Sequence, residues 1–100
     1  FVRRDQSSLL SYSHDGDVIS LDPIHAPGDR DRDAWTRFLE AFNAWAHQRF
    51  GVPLLNQSPG VTREQTAAAY GPRWKTFSDW VRSVDPQGRL RNPFFDDLLV

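Results

Sequence analysis

The stretch AYGPRWKTF at residues 69–77 decides how the second half of this chain folds. Gly71 ends the helix that precedes it, and Pro72 suits the first turn of a new helix, where a missing N–H group costs nothing. The spacing of Trp74 and Phe77 along the new helix turns both rings back toward the core. The stretch therefore predicts two short helices that meet at an angle.

The flanking residues define both helices. Thr62 is followed three residues later by Gln65, which is the spacing of a capping box at the start of the first helix. The second helix carries an apolar face and ends before Asp85-Pro86-Gln87-Gly88, a turn sequence that leads into a tail over residues 89–100. The apolar residues of that helix are Trp74, Phe77, Trp80, Val81 and Val84.

A longer helix is predicted from Asp33 to Phe50, because apolar residues recur there on one helical face. Gly51 supplies its stop. We expect its aromatic residues to lie in the core, since rings at helical spacing most often pack inside. These are Trp35, Phe38, Phe42 and Trp45.

Two further segments are predicted to form strands. Residues 8–23 resemble a β-hairpin, with Asp15-Gly16 as a type I′ turn whose two positions need positive φ. Residues 52–55 form a short apolar run, which we expect as a third strand near an edge because Pro53 cannot donate to a ladder. The expected fold class is α+β: a small antiparallel sheet with helices packed on one face.

Bulk composition narrows the function classes. The chain has 100 residues, which is one domain at most, and its net charge of −1 offers no basic field for nucleic acid. It has no Cys, no signal peptide and no apolar run of the roughly 18 residues that span a bilayer. We expect a cytoplasmic location. Because the chain lacks a Met at position 1, we also expect it to be a piece of a longer protein.

Few residues point to chemistry by spacing alone. The histidines lie far apart and have no metal-ligand spacing, so we expect surface or capping roles for His14, His25 and His47. The amide side chains of Asn56 and Gln57 follow an apolar run, where they can orient a substrate or a ring system. A plain turn with local backbone bonds explains the same residues.

From Trp35 to Leu99 the sequence resembles the C-terminal end of flavin-dependent oxidoreductases of the vanillyl-alcohol-oxidase type. The resemblance rests on the long helix, on Gly51-Val52-Pro53, and on residues 70–77 and 84–92. At the place of residues 70–77, family members show Tyr-Pro-x-x-x-x-Phe. At the place of residues 84–92, they show Asp-Pro-x-x-x-Phe-x-Asn. Similar members include sugar-lactone and alditol oxidases, flavin-type cholesterol oxidases and decaprenylphosphoryl-ribose oxidases.

The resemblance implies a function and a partner. Residues 1–100 would be the C-terminal segment of the cap, or substrate, domain of an enzyme that oxidises a CH–OH group by hydride transfer to FAD. A larger N-terminal part of the same protein would bind most of the FAD. The substrate would be a small-molecule alcohol such as a sugar, a lactone or a sterol.

The resemblance also implies site residues. Gln57 stands where many relatives carry a lysine, and it is assigned to catalysis and, with Asn56, to the flavin edge. A glutamine supplies neither the charge nor the proton of a lysine. Phe1-Val2-Arg3 falls where alditol-oxidase relatives have Glu-x-Arg. Arg3 is therefore the second catalytic candidate, and Phe1 stands in place of the glutamate.

The remaining candidates are pocket and anchoring residues. Ser20 corresponds to a histidine of a relative and is assigned to the substrate pocket. Tyr70 and Trp74 would shape the wall of that pocket, and Asn92 would anchor the tail near the cofactor. The alternative hypothesis is a stand-alone, non-catalytic binding or protein-interaction module with an exposed aromatic face.

Overall fold

The structure, a computed structural model, describes residues 1–26 and 31–100. Four α-helices lie within these residues: α1 (Arg32–His47), α2 (Arg63–Tyr70), α3 (Pro72–Val84) and α4 (Pro93–Leu98). A 3-10 turn at Leu55–Gln57 separates α1 from α2. The described residues contain no strand and no sheet, so the predicted α+β class is wrong and the fold is helical.

The predicted hairpin at residues 8–23 is replaced by turns and a single bridge. A type I′ turn needs positive φ at both central residues, and neither Asp15 nor Gly16 has it. Consecutive turns form instead, with Ser11 N–H bonded to Ser8 at 3.2 Å. The only β-type pairing among the described residues joins Val2 to Val18 through bonds of 2.8 and 2.9 Å.

The predicted third strand is also wrong. Residues 52–54 have no strand partner within the described chain, and the N–H of Gln57 donates to Leu54 at 2.8 Å to close the 3-10 turn. Pro53 lacks the N–H that a central ladder position would need. Turn formation therefore satisfies this segment locally, without a neighbouring strand.

The long helix is confirmed, with shorter bounds than the sequence suggested. Its N-cap is Asp31, whose carboxylate accepts the N–H of Ala34 at 2.7 Å. The chain leaves the helix through Phe50, which has a φ of 59°, a conformation that bulky residues rarely adopt. Gly51 follows, and a Cβ there would lie 2.9 Å from the carbonyl oxygen of Ala46.

The helix break at residues 70–72 is confirmed. The capping box of α2 is present, because the Thr62 hydroxyl accepts from Gln65 N–H and the Gln65 amide accepts from Thr62 N–H. Gly71 ends α2 with a φ of 54° and a ψ of −134°, a region that essentially only glycine occupies. Pro72 opens α3 at once.

The core lies between α3 and the C-terminal residues. Val81, Leu99 and Val100 are buried, and the rings of Trp74 and Phe77 pack against them, as their spacing predicted. The turn at residues 85–88 is confirmed by a 3.1 Å bond from Gly88 N–H to the Asp85 carbonyl. The aromatic residues of α1 lie elsewhere, because α1 has no buried residue, so their assignment to the core is wrong.

One arginine ties the N-terminal segment to α3. The Arg73 guanidinium donates to the carbonyls of Leu9 at 2.8 Å and Ser11 at 3.1 Å, and lies 3.2 Å from the Asp15 carboxylate. We call this arrangement the Arg73 clasp. It fixes the segment that leads to Val18, and with it one side of the groove described next. None of the described helices combines the length and apolarity that a bilayer crossing requires.

Candidate functional site

A groove of about 740 Å³ runs between α1 and two stretches of non-helical chain. Residues 18–25 form one side, the apolar face of α1 forms the floor, and residues 49–54 close the end. The volume falls within the range of about 300–1,000 Å³ that is usual for small-molecule sites. Most of the lining is aliphatic or aromatic, including Leu21, Leu39 and Val52.

Stacked rings run along α1, and those of Trp35, Phe42 and Trp45 belong to the groove floor. Successive ring centroids are separated by 4.9, 5.2, 6.1 and 5.9 Å, so the rings form one continuous file. We call it the aromatic file, and its members are His25, Trp35, Phe38, Phe42 and Trp45. The Arg49 guanidinium ends the file 4.7 Å from the centre of the Trp45 ring.

Two of the predicted site residues line this groove together. Ser20 and Gln57 are far apart in sequence, and both contribute to the lining. The Ser20 hydroxyl donates to the Asp22 carboxylate at 3.0 Å. The Gln57 side-chain amide forms no hydrogen bond within the described part of the chain. The groove lining is mostly apolar. It includes the Ser20 hydroxyl, which is already hydrogen-bonded, and the Gln57 amide, which is available to a ligand.

Three predicted residues lie outside the groove. Arg3 is exposed beside Val2, whose partner in the bridge is a lining residue. Asn56 lines a separate hollow of about 500 Å³ next to α4. The Asn92 carboxamide caps α4 by accepting from the N–H of Phe95 at 3.1 Å. The structure does not bring these side chains together with Gln57.

Tyr70 and Trp74 support the fold from behind the groove. The Tyr70 hydroxyl donates to the carbonyl of Pro53 at 2.5 Å, and Pro53 is part of the groove lining. Burial raises the pKa of Tyr70 to about 12, against a small opposing effect of the Arg73 charge. Trp74 Nε1 donates to the Leu98 carbonyl at 2.9 Å. The Tyr70 hydroxyl and the Trp74 indole N–H therefore both donate to backbone carbonyls.

Sequence reasoning missed the role of the aromatic file. The helical spacing of its four α1 members predicts a core position, and His25 is expected in a surface or capping role. Spacing alone does not say what covers a helix face. Arg49 was missed as well, although its position four residues after Trp45 is the spacing at which side chains of a helix meet.

The charges of the groove lining are sparse. Asp22 is its acidic residue, and Arg49 forms no ion pair among the described residues. The described residues contain no group of three side chains able to hold a metal ion. The site is suited to orienting an apolar or aromatic molecule with a few polar contacts.

A flavin ring and a whole FAD differ in their fit to this chain. A planar ring system suits the aromatic file and the free Gln57 amide. A pyrophosphate is typically held by unoccupied N–H groups where a helix begins. The helices α1 and α2 instead begin at side-chain caps, Asp31 and Thr62, which already accept from those groups. The uncapped start of α3, at Gly71-Pro72, is not part of the groove lining. The residues therefore fit the ring end of FAD and not its pyrophosphate.

Comparison with known proteins adds no relative: a scan of protein-family models and searches of curated proteins and of solved structures return no match.

Proposed function

We propose that this chain is the C-terminal segment of an FAD-dependent oxidoreductase that acts on the CH–OH group of a small-molecule alcohol. The observation that supports the proposal is the groove, which Ser20, Gln57 and the aromatic rings of α1 all line. Both residues were singled out by the resemblance, and they are separated by α1 in the sequence. The pyrophosphate and the rest of the FAD would be held by the N-terminal part of the same protein.

Each lining group has a defined task in this proposal. When bound, the flavin would supply the chemistry by accepting the hydride from the CH–OH carbon, and the hydroxyl proton would pass to water at the open side of the groove. The Gln57 amide, which can donate and accept, orients a ring oxygen or the substrate hydroxyl. The Ser20 hydroxyl holds the substrate near Asp22, to which it is bonded. The members of the aromatic file that line the groove would exclude water from one side of the ring.

The groove also limits the role of Gln57. A carboxamide does not titrate, so it neither removes the hydroxyl proton nor carries a positive charge. Orientation alone still contributes to rate, because small misplacements of a bound substrate slow hydride transfer strongly. Gln57 is therefore a binding and positioning group in this proposal, and Arg3, exposed near the groove, is not required for it.

The first test is the visible absorption spectrum of the natural gene product, purified without added cofactor. Bands of oxidised flavin that bleach on reduction by an alcohol support the proposal. Gln57→Ala should then slow flavin reduction by about tenfold or more, by the scale of losing an orienting contact. Gln87→Ala is the matched control, because Gln87 is an exposed glutamine in a turn outside the groove. A colourless product that takes up no FAD contradicts the proposal.

A second candidate is a binding module without catalysis. It is favoured by the exposure of large apolar side chains along the groove, including Ile19, Ile24 and Phe50. In this case the chain alone should bind an apolar ligand or partner, and added FAD should not change its tryptophan fluorescence. Quenching by FAD that Gln57→Ala weakens and Gln87→Ala does not would decide for the flavin instead.

A further inference from the structure

The groove rim at residues 19–22 carries backbone groups without partners. From Ile19 to Ala26 the chain forms no helix, turn or bend. Val18 just before it is bonded through both its N–H and its C=O to Val2. The backbone groups of residues 19–22 make no hydrogen bond within the described chain. An exposed row of this kind is a template for strand addition.

The bridge sets the direction in which these groups point. In an antiparallel ladder, residues that bond to one neighbour alternate with residues whose groups point to the other side. Since Val18 bonds toward Val2, the groups of Ile19 and Leu21 point away from Val2 along an extended chain. Pro23 lies two residues further and has no N–H, so it ends the row. The free edge is therefore short and centred on Ile19 and Leu21.

The side chains around this edge define the partner. Ile19 and Leu21 lie on one face of the extended chain, and their exposed fractions are 75% and 60%. Asp22 lies on the other face, and its carboxylate is bonded to the Ser20 hydroxyl and to no cation among the described residues. A partner with apolar residues on one face and basic residues on the other complements both.

We infer that residues 19–22 accept an extended, basic segment of another polypeptide chain, which adds as a strand along the edge of Ile19 and Leu21. Backbone hydrogen bonds supply affinity in such complexes, and the alternating side chains supply specificity. The apolar residues of the partner cover Ile19 and Leu21, and its basic residues lie near Asp22. The inference uses backbone groups and charge, so it holds whether or not the groove binds a flavin.

Peptide binding to this chain tests the inference. The probe is a short blocked peptide that alternates valine and lysine, and the matched peptides carry glutamate in place of lysine or N-methyl groups along one edge. Binding is followed by tryptophan fluorescence, and amide hydrogen exchange is read residue by residue. The lysine peptide should bind and slow exchange at Ile19 and Leu21 but not at Ser20, while both matched peptides bind at least about tenfold more weakly.

Variants of the chain sharpen the same test. Leu21→Pro removes a donor at an exposed position and should weaken binding by about tenfold or more. Asp22→Lys should weaken it by about two- to fivefold, whereas Asp97→Lys, an equal charge change on α4, should leave it unchanged.

Three results would overturn the inference. Equal binding of the lysine and glutamate peptides would show that the charge of Asp22 does not select a basic partner. Uniform protection of residues 19–22, or binding of the N-methylated peptide at full strength, would remove strand addition. Protection of Ile19 and Leu21 without peptide, in a dimer detected by sedimentation, would assign the edge to a second copy of this chain.

Discussion

The helices α1 and α3 are both amphipathic, yet only α3 uses its apolar face inside the molecule. Val81 of α3 is buried, and Trp74 and Phe77 pack beside it against Leu99 and Val100. On α1 the rings of Trp35, Phe42 and Trp45 line the groove, and no residue of the helix is buried. The spacing of apolar residues thus identifies an apolar face on both helices. It does not identify which residues pack against that face.

The difference follows from where the partners lie in the sequence. Leu99 and Val100, which cover α3, come 15 and 16 residues after its last residue, Val84, and the turn at residues 85–88 together with α4 brings them back onto it. The groove side of α1 faces the irregular segments on either side, which do not close over it, and among the described helices only α2 packs against α1. The C-terminal region is therefore the stable part of the fold, and the α1 face is a surface available for binding.

The largest effect is expected for Leu99→Ala. Leu99 is 3% exposed in the core, so the truncation should lower the free energy of unfolding by about 2–4 kcal/mol. Leu90→Ala is the matched control, because Leu90 is 83% exposed and should change it by less than about 0.5 kcal/mol. Urea unfolding followed by circular dichroism measures both. Equal losses would mean that the C-terminal region is not the stable part.

An intermediate effect is expected for Tyr70→Phe. The change leaves the Pro53 carbonyl without its donor and should cost roughly 1–2 kcal/mol at neutral pH. The folded pKa of about 12 exceeds the ordinary value of 10.0, so folding favours the neutral phenol. The contribution of the neutral Tyr70 phenol to the free energy of unfolding is complete below pH 10 and is lost as the pH rises through 12.

Unfolding titrations at increasing pH measure that loss. The chain should lose stability between pH 10 and pH 12, and Tyr70→Phe should lack this part of the decline. Tyr12→Phe serves as the control with the other tyrosine retained. An unchanged alkaline decline in Tyr70→Phe would show that Tyr70 does not link the α2 end to the chain beneath the groove.

The smallest effect is expected for Phe38→Ala on α1. Phe38 is 48% exposed, so only part of its apolar area is lost, and the cost should stay near or below about 1 kcal/mol. The same urea measurement checks it. A cost as large as that of Leu99→Ala would erase the contrast between the two helices, because it would mean that the α1 face is covered in solution.

The parts of the fold that the sequence predicted are those whose cause is local. The capping box of Thr62 and Gln65 and the break at Gly71-Pro72 each satisfy backbone groups within a few residues. The Asp15-Gly16 hairpin failed because a turn sequence permits positive φ without imposing it, and no second strand forms to select that conformation.

The candidate site was predictable only in part, for a similar reason. Ser20 and Gln57 were selected by resemblance, and the helix between them brings both to one groove. The polar groups of Tyr70, Trp74 and Asn92 are bonded to backbone atoms, which depends on contacts across the fold that a motif does not encode. Arg49 lines the groove, and its guanidinium contacts both the ring and the carbonyl of Trp45.

The Arg73 clasp has a consequence for the order of folding. Its bonds to Leu9, Ser11 and Asp15 join residues that are 64, 62 and 58 positions apart, whereas α2 and α3 are adjacent in sequence. Contacts of long sequence separation close late, because the chain entropy of the intervening loop must first be overcome. We therefore expect the helices to assemble first and the N-terminal segment to dock last. Binding at the groove would then report on completed folding of the whole chain.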